Sequence, residues 1–335
     1  MSENHEQNEK EIDVGADSTP KDKDKPKEEP KQKLQPQKQA GSEITTAQDL
    51  TQKIISMSEE DFLPWEEVTL PSKGIYYGDK VPGGVVRVRP MSIAAEKIMT
   101  TQRLAQTGQS IDYLFENCVD LPSGFDQSEL LTGDRVFLLY YLRGITHGNI
   151  YEFTMKCPHC NSNSSHVYDL NELANTIQYP KEELGTEPFK ITLPYLSKVM
   201  SKTVWAKVRF MRGKDSSHIA NRQRFNKRVR AGNVVQKRAQ KEVEIDQSIT
   251  DNLSLLIVSI GGEGLNGEEK DSIKIKAIVD KMHSKDTSTI REFMRENAPG
   301  IDTSIIVDCP ECQNEIRTEL PITEAFFRPS RQTQS

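Results

Sequence analysis

Four of the five cysteines repeat one spacing, Cys157-Pro158-His159-Cys160 and Cys309-Pro310-Glu311-Cys312. Two thiols three residues apart on a tight turn can aim both sulfurs at one ion. Two such pairs complete the tetrahedral thiolate set that structural zinc prefers. The expected cofactor is therefore Zn2+ held by Cys157, Cys160, Cys309 and Cys312. Four protein ligands leave no position for water, so the expected role is structural rather than catalytic. A thioredoxin-like reading needs CxxC at a helix start after a strand, and neither pair has that setting. His159 and His166 are rival ligands that two complete cysteine pairs make unnecessary. Cys118 falls on an apolar stripe and reads as a small buried hydrophobe. Five cysteines in 335 residues are too few for a disulfide scaffold and suit a reducing compartment.

A second chemical feature is charge. From Lys207 to Lys241 the chain carries twelve Lys or Arg and a single acid, Asp215. Such a helical face suits a nucleic acid, an acidic protein partner or plain solvent. The chain as a whole has a net charge of −6, and Phe225 and Phe210 are the run's only aromatics. Without stacking platforms, a solvated face or protein docking is preferred over nucleic acid. The docking candidates are Arg222, Arg224, Lys227, Arg228 and Arg230. Gly262-x-Gly264-x-x-Gly267 matches a dinucleotide fingerprint in spacing, but it follows a helical stripe instead of a strand, and its neighbours Glu263, Glu268 and Glu269 would repel a pyrophosphate. No Ser/His/Asp order, HExxH, P-loop or pair of acids in an apolar setting appears with supporting context, so no enzyme is expected.

The elements that must position these groups can be read from periodicity. Tyr151, Phe153 and Met155 alternate with polar residues on the way into the first cysteine pair, and His166-Val167-Tyr168 can return as the partner strand. TSIIVD and EIRTEL frame the second pair in the same way, which places both pairs at strand–turn–strand corners. Upstream, Val85, Val86 and Val88 make a short strand after a turn-rich loop, LPSKGIYYGDKVPGG. Ser92 is a candidate cap for a helix ended by Gly108. Ile111, Leu114, Phe115, Cys118 and Val119 form one helical stripe. The helix in LLTGDRVFLLYYLRG is apolar nearly all round from Val136 to Leu142 and belongs in the middle of a domain or against a partner. Between the cysteine corners, Val204 to Phe210 alternates as a strand and Ser217 to Val243 reads mainly helical, interrupted at Gly232-Asn233. Two further helical stripes run through Leu253, Leu256, Ile257 and Ile260, and through Ile275, Ile278, Val279 and Met282. Thr289-x-x-Glu292 is a capping-box candidate.

Composition sets the boundaries. Residues 1–50 hold twelve acids and eight basic residues, and the first aromatic is Phe62. That segment has too little apolar surface to offset its ordering entropy, so residues 1–48 are expected to be a disordered tail, with order starting near Asp61-Phe62-Leu63-Pro64-Trp65. No apolar run is long enough for a membrane span, and the first residues do not resemble a secretory signal. The expected fold is α+β: a helical N-terminal domain (60–150) joined to a split zinc-ribbon-like β module. The module's halves are 151–170 and 303–322, and it carries a large α/β insertion (171–302) with the basic helical face.

LPSKGIYY, VRVRPMS, AAEKIM, LLTGDRVFLLYYLRGITHG, the strand into CPHC, CPEC and the terminal FFRPS together resemble the T4-type bacteriophage baseplate protein family and, within it, its hub subunit. The resemblance covers roughly residues 60–170 and 295–330. It implies a non-enzymatic part of a contractile-tail baseplate that docks other hub or wedge proteins and can oligomerise in the assembly. It also implies a location in the virion tail, with the host cytoplasm as the place of assembly. Cys157, Cys160, Cys309 and Cys312 carry over as the ligand set. Zinc knuckles often have Gly after the second cysteine, where this chain has Asn161 and Gln313; Asn tolerates a left-handed backbone better than Gln does. Two alternatives remain: an assembly factor absent from the mature virion, and a zinc-ribbon nucleic-acid-binding protein.

Overall fold

The computed structural model describes residues 46–99, 109–232, 248–322 and 324–327. The chain divides into two units, Met1–Ser56 and Met57–Ser335. In the first, the described residues form helix α1 (Ala47–Ser56). Its start is a reciprocal cap: the Asp49 N–H donates to Thr46 Oγ1 and the Thr46 N–H to Asp49 Oδ2, each at 3.1 Å. The expected tail overlaps this helix at residues 47 and 48, because the local Thr-x-x-Asp cap prevails over the polar composition around it. Residues 1–45 lie outside the described residues.

In the second unit, counting helices of seven residues or more, the predicted valine strand is β2 (Val85–Val88). It lies between β1 (Glu66–Thr69) and β3 (Val119–Asp120) in an antiparallel sheet. Ser92 caps α2 (Ile93–Met99), its Oγ accepting the Ala95 N–H at 3.3 Å; Gly108 lies outside the described residues. Helix α3 (Gln109–Cys118) buries Leu114, Phe115 and Cys118 along the predicted stripe, but Val119, its last expected member, opens strand β3 instead. The apolar helix is α4 (Thr132–His147). Leu138, Leu139 and Leu142 lie inside this chain's own core, which decides between a domain centre and a partner surface.

The turn-rich segment before β2 is not a surface loop. Leu70, Ser72, Tyr77 and Val81 are buried, and one carboxylate from α4 satisfies two of the polar groups that burial would otherwise orphan. Asp134 accepts the Ser72 N–H at 2.9 Å and the Tyr77 hydroxyl at 2.5 Å, and Tyr77 Oη accepts the Leu131 N–H at 2.8 Å. Full burial pushes the Asp134 carboxyl above the usual aspartate range, against the pull of its Ser72 and Tyr77 donors.

Two hairpins form at the two predicted strand–turn–strand corners. Strand β4 (Ile150–Lys156) pairs with β5 (Asn163–Asp169), Lys156 opposite Asn163 at the turn end. Between these strands and their later counterparts, β6 (Ile177–Gln178) pairs with β10 (Gly300–Ile301), so the chain leaves and returns at one place. The intervening stretch holds a three-stranded antiparallel sheet, β7 (Phe189–Thr192), β8 (Val204–Val208) and β9 (Ile257–Gly262). Its helices are α5 (Pro194–Met200), α6 (Gly213–Gly232), α7 (Ser248–Leu256), α8 (Ser272–Val279) and α9 (Ser284–Asn297). The second hairpin is β11 (Ser304–Asp308) with β12 (Glu315–Glu319). The architecture is α+β, with small antiparallel sheets.

Two local expectations are corrected. The stripe from Leu253 to Ile260 is helical only to Leu256; Ile257 starts strand β9, since a β-branched, buried run pairing with β8 overrides the helical spacing. Thr289 lies inside α9, whose cap is His283: its ring Nδ1 accepts the Lys285 N–H at 3.1 Å, upstream of the expected box.

Candidate metal centre

Each cysteine pair sits where an antiparallel hairpin turns. At the first turn the Cys157 carbonyl accepts the Asn161 N–H at 3.0 Å, and the Cys157 N–H donates to the Ser162 carbonyl at 2.8 Å. The second repeats it: Gln313 N–H to the Cys309 carbonyl at 2.8 Å, and Cys309 N–H to the Asn314 carbonyl at 3.1 Å. The residue after each second cysteine takes a left-handed backbone, Asn161 at φ 62° and Gln313 at φ 57°. The absence of glycine at these positions therefore changes the cost of the turn and not its shape.

Beneath the turns, Met155, Val307 and Ile316 pack against Cys157 and Cys309, which are 0 % and 1 % exposed. Cys160 is exposed and Cys312 half-buried. The four sulfurs, from positions up to 155 residues apart, lie within 4.8 Å of one another. Cys157 Sγ is 3.7 Å from Cys312 Sγ, and Cys160 Sγ is 3.7 Å from Cys309 Sγ. Thiolates about 2.3 Å from a central zinc stand roughly 3.8 Å apart at tetrahedral corners. The separations thus fit a shared ion and are far too long for a disulfide, about 2 Å.

The polar surroundings favour ionised sulfur. Ser162 Oγ lies 2.9 Å from Cys160 Sγ, Asn314 Nδ2 donates to Cys312 Sγ at 3.5 Å, and the His159 N–H donates to Cys157 Sγ at 3.4 Å. Backbone N–H groups of Cys312 and Glu311 pull the Cys309 thiol down to about 6, against burial. The Ser162 hydroxyl and N–H lower Cys160. Cys312 goes the other way, up to about 11: the Asn314 N–H lowers it, but burial and the three neighbouring sulfurs outweigh that pull. Four crowded thiols resist ionising together unless a cation shares the space. The group can hold a metal ion.

Ser162 and Asn314 are sulfur partners that the cysteine spacing does not reveal, although both stand two residues after the second cysteine of their pair. The rival histidine His166 is engaged elsewhere: its Nε2 lies 2.7 Å from Ser164 Oγ and its ring stacks on Phe153. The other rival, His159, is exposed. Beyond the Gly262–Gly267 loop, Glu269 pairs back to Ile260, and α8 begins only at Ser272 with Asp271 as its cap. Contrary to the sequence expectation, a strand (β9) does lead into these glycines, but no helix start meets them as a phosphate site requires.

The basic run divides. Its first five cations each meet a carboxylate: Lys207 with Glu268 at 2.7 Å, Arg209 with Asp215 at 2.6 Å, Arg212 with Glu187 at 2.7 Å, Lys214 with Glu129 at 2.6 Å, and Arg222 with Asp251 at 3.3 Å. Helix α6 carries Arg224, Lys227, Arg228 and Arg230 in its second half, but their side chains lie outside the described residues.

Among the described residues, no helix is long and apolar enough to cross a membrane. A family model described as T4 bacteriophage base plate protein matches residues 67–328. Neither a curated protein nor a solved structure matches the chain.

Proposed function

The chain belongs to the T4 bacteriophage base plate protein family, and from that premise we propose that it is a non-enzymatic structural component of a contractile-tail baseplate. Its place is the hub region, where it docks other hub or wedge proteins during tail assembly and stays in the virion. Its four-cysteine centre holds one structural Zn2+. The observation that carries the non-catalytic reading is the closed sulfur set: Cys157, Cys160, Cys309 and Cys312 lie within 4.8 Å of one another and supply all four corners of a tetrahedral site.

Zinc here ties two hairpins into one zinc-ribbon-like module, 151–170 with 303–322, across an insertion of 171–302. The pairing of β6 with β10 supports this division, because it brings the two ends of the inserted stretch together. A metal bond across so long a loop removes much of the loop-closure entropy of the unfolded chain. Arg222, Arg224, Lys227, Arg228 and Arg230 along α6 form the docking face for an acidic subunit surface; no acid occurs in sequence between Asp215 and Lys241, although Arg222 also meets Asp251 at 3.3 Å.

Three measurements test the reading. Quantitative proteomics of purified particles is expected to find the chain at a fixed stoichiometry; its absence from mature particles would instead make it an assembly factor that leaves. Metal analysis of the purified chain is expected to give one zinc per chain, with loss of the metal in Cys157→Ser and Cys309→Ser. A metal-free, fully stable preparation would overturn the zinc assignment. Charge reversal at Arg224 and Arg228 is expected to lower assembly yield more than it lowers folding stability.

A further inference from the structure

The two sulfur contacts at 3.7 Å both run between hairpins: Cys157 to Cys312 and Cys160 to Cys309. Each couples one buried sulfur (Cys157, Cys309) with one that solvent reaches better (Cys312, Cys160). We propose that the centre is also a modification site, at which a peroxide converts the four thiols into two cross-hairpin disulfides, Cys157–Cys312 and Cys160–Cys309. This deepens the zinc reading, since the same side chains would exchange a metal crosslink for a covalent one.

The chemistry balances within each pair. The more accessible sulfur, as thiolate, attacks a peroxide oxygen; an S–O bond forms, the O–O bond breaks, and the departing hydroxide is protonated to water. The buried partner then attacks the resulting sulfenic sulfur as thiolate. An S–S bond forms, the S–O bond breaks, and the oxygen leaves as a second water. Two electrons pass from two sulfurs to one peroxide, so both pairs consume two peroxides and release any bound zinc as Zn2+. Each sulfur needs to move by under about 2 Å to reach bonding distance, well within a side-chain rotation.

The consequence is topological. Links within each knuckle, 157 to 160 and 309 to 312, would leave the hairpins free to part once the metal is lost. Cross-hairpin links close the same long loops that zinc closes, and long loops gain most from closure in the chain-entropy account. The junction that holds the ends of the insertion is then retained when the protein leaves a reducing cytoplasm.

The test uses the full chain. Metal is measured first; the native protein, and a portion stripped with a chelator under reductant, are then treated with hydrogen peroxide. Remaining thiols are alkylated, and peptides are mapped by mass spectrometry without reduction. The expected result is one peptide pair joining 157 to 312 and another joining 160 to 309. Cys157→Ser is expected to keep the 160–309 link and leave Cys312 alkylated. The oxidised, metal-free protein is expected to melt about 10 °C above the reduced, metal-free one. Links within knuckles, links between chains, or sulfinic acids in place of disulfides would overturn the proposal. Cross-hairpin links in a protein that never held metal would sustain it while removing zinc, so the two readings fail separately.

Discussion

The cysteine hairpins and the first half of the basic run are both places where distant parts of the chain meet, yet their sequences disclose this very differently. The cysteines announce their partners: two matching four-residue spacings each name the other. The basic residues do not. Counted along the chain, Lys207 to Lys241 has one acid for twelve cations. In space its first five cations meet Glu268, Asp215, Glu187, Glu129 and Asp251, four of which come from outside the run. A metal-site signature is local and chemically specific, whereas ion pairing is set by topology. A linear charge count therefore overstates how much positive surface a folded chain presents.

The sharpest way to break the comparison is at the hairpins. Cys309→Ser removes a buried sulfur on which the Cys312 and Glu311 N–H groups converge, and it opens the loop between the hairpins. The expected outcome is loss of bound metal together with a fall in melting temperature larger than at Asp215 or Arg222, followed by zinc analysis and thermal unfolding. A variant that keeps both its metal and its melting temperature would show that the hairpins are held by their apolar floor, Met155, Val307 and Ile316, alone.

How much was legible follows the same division. Alternation in β4 and β8, the α3 stripe and the buried α4 were readable because burial has a period that the chain displays. Most of what escaped was set by contacts between distant residues. Asp134 reads as an ordinary first-turn acid, but it serves the backbone of Ser72, 62 residues earlier. Ile257 reads as helical until β8 is there to pair with it. The start of α9 is hidden because His283, which seldom caps, does so ahead of a better-looking Thr289.

A smaller effect is expected at Asp215, the run's own acid. It accepts two hydrogen bonds from Arg209, at 2.6 and 2.8 Å, and the Arg212 N–H at 2.9 Å. Asp215→Ala leaves these donors short of an acceptor at a nearly buried position. It should cost about 2 kcal/mol, after allowance for the part of Arg209 that solvent still screens. Burial alone would raise the Asp215 carboxyl, but Arg209 and the Arg212 N–H together hold it below the usual range. Its contribution is therefore present above the unfolded value near pH 4 and is lost as pH falls through the lower folded value. Denaturant titrations between about pH 5 and 2 should show a shallower acid loss in Asp215→Ala than in the parent; parallel curves would refute the role of this carboxylate.

At the knuckles a gain is expected. Gln313 holds φ 57°, where a side chain is disfavoured by about 1–2 kcal/mol, while glycine's added freedom in the unfolded chain returns about 0.5–1 kcal/mol of that. Gln313→Gly should stabilise by roughly 0.5–1 kcal/mol, and Asn161→Gly by less, since Asn accepts this conformation more readily. Equal gains at both sites, measured by urea unfolding, would mean that the two turns are strained for a reason other than side-chain type.

The smallest effect separates folding from docking within the basic run. Arg222 meets Asp251 at 3.3 Å, but its side chain is 42 % exposed, and Asp251 already has Lys276 at 2.5 Å. Removing a solvent-screened cation from a carboxylate that keeps a second partner should change stability by under about 0.5 kcal/mol. Arg222→Ala is thus expected to unfold with the parent's midpoint while weakening association with an acidic partner subunit, and that weakening should fade as salt is raised past about 0.15 M. A clear loss of stability would make Arg222 part of the internal lattice that begins at Lys207, and would move the start of the docking face beyond it along α6. An unchanged midpoint with salt-dependent loss of association would set the boundary between lattice and surface at Lys214.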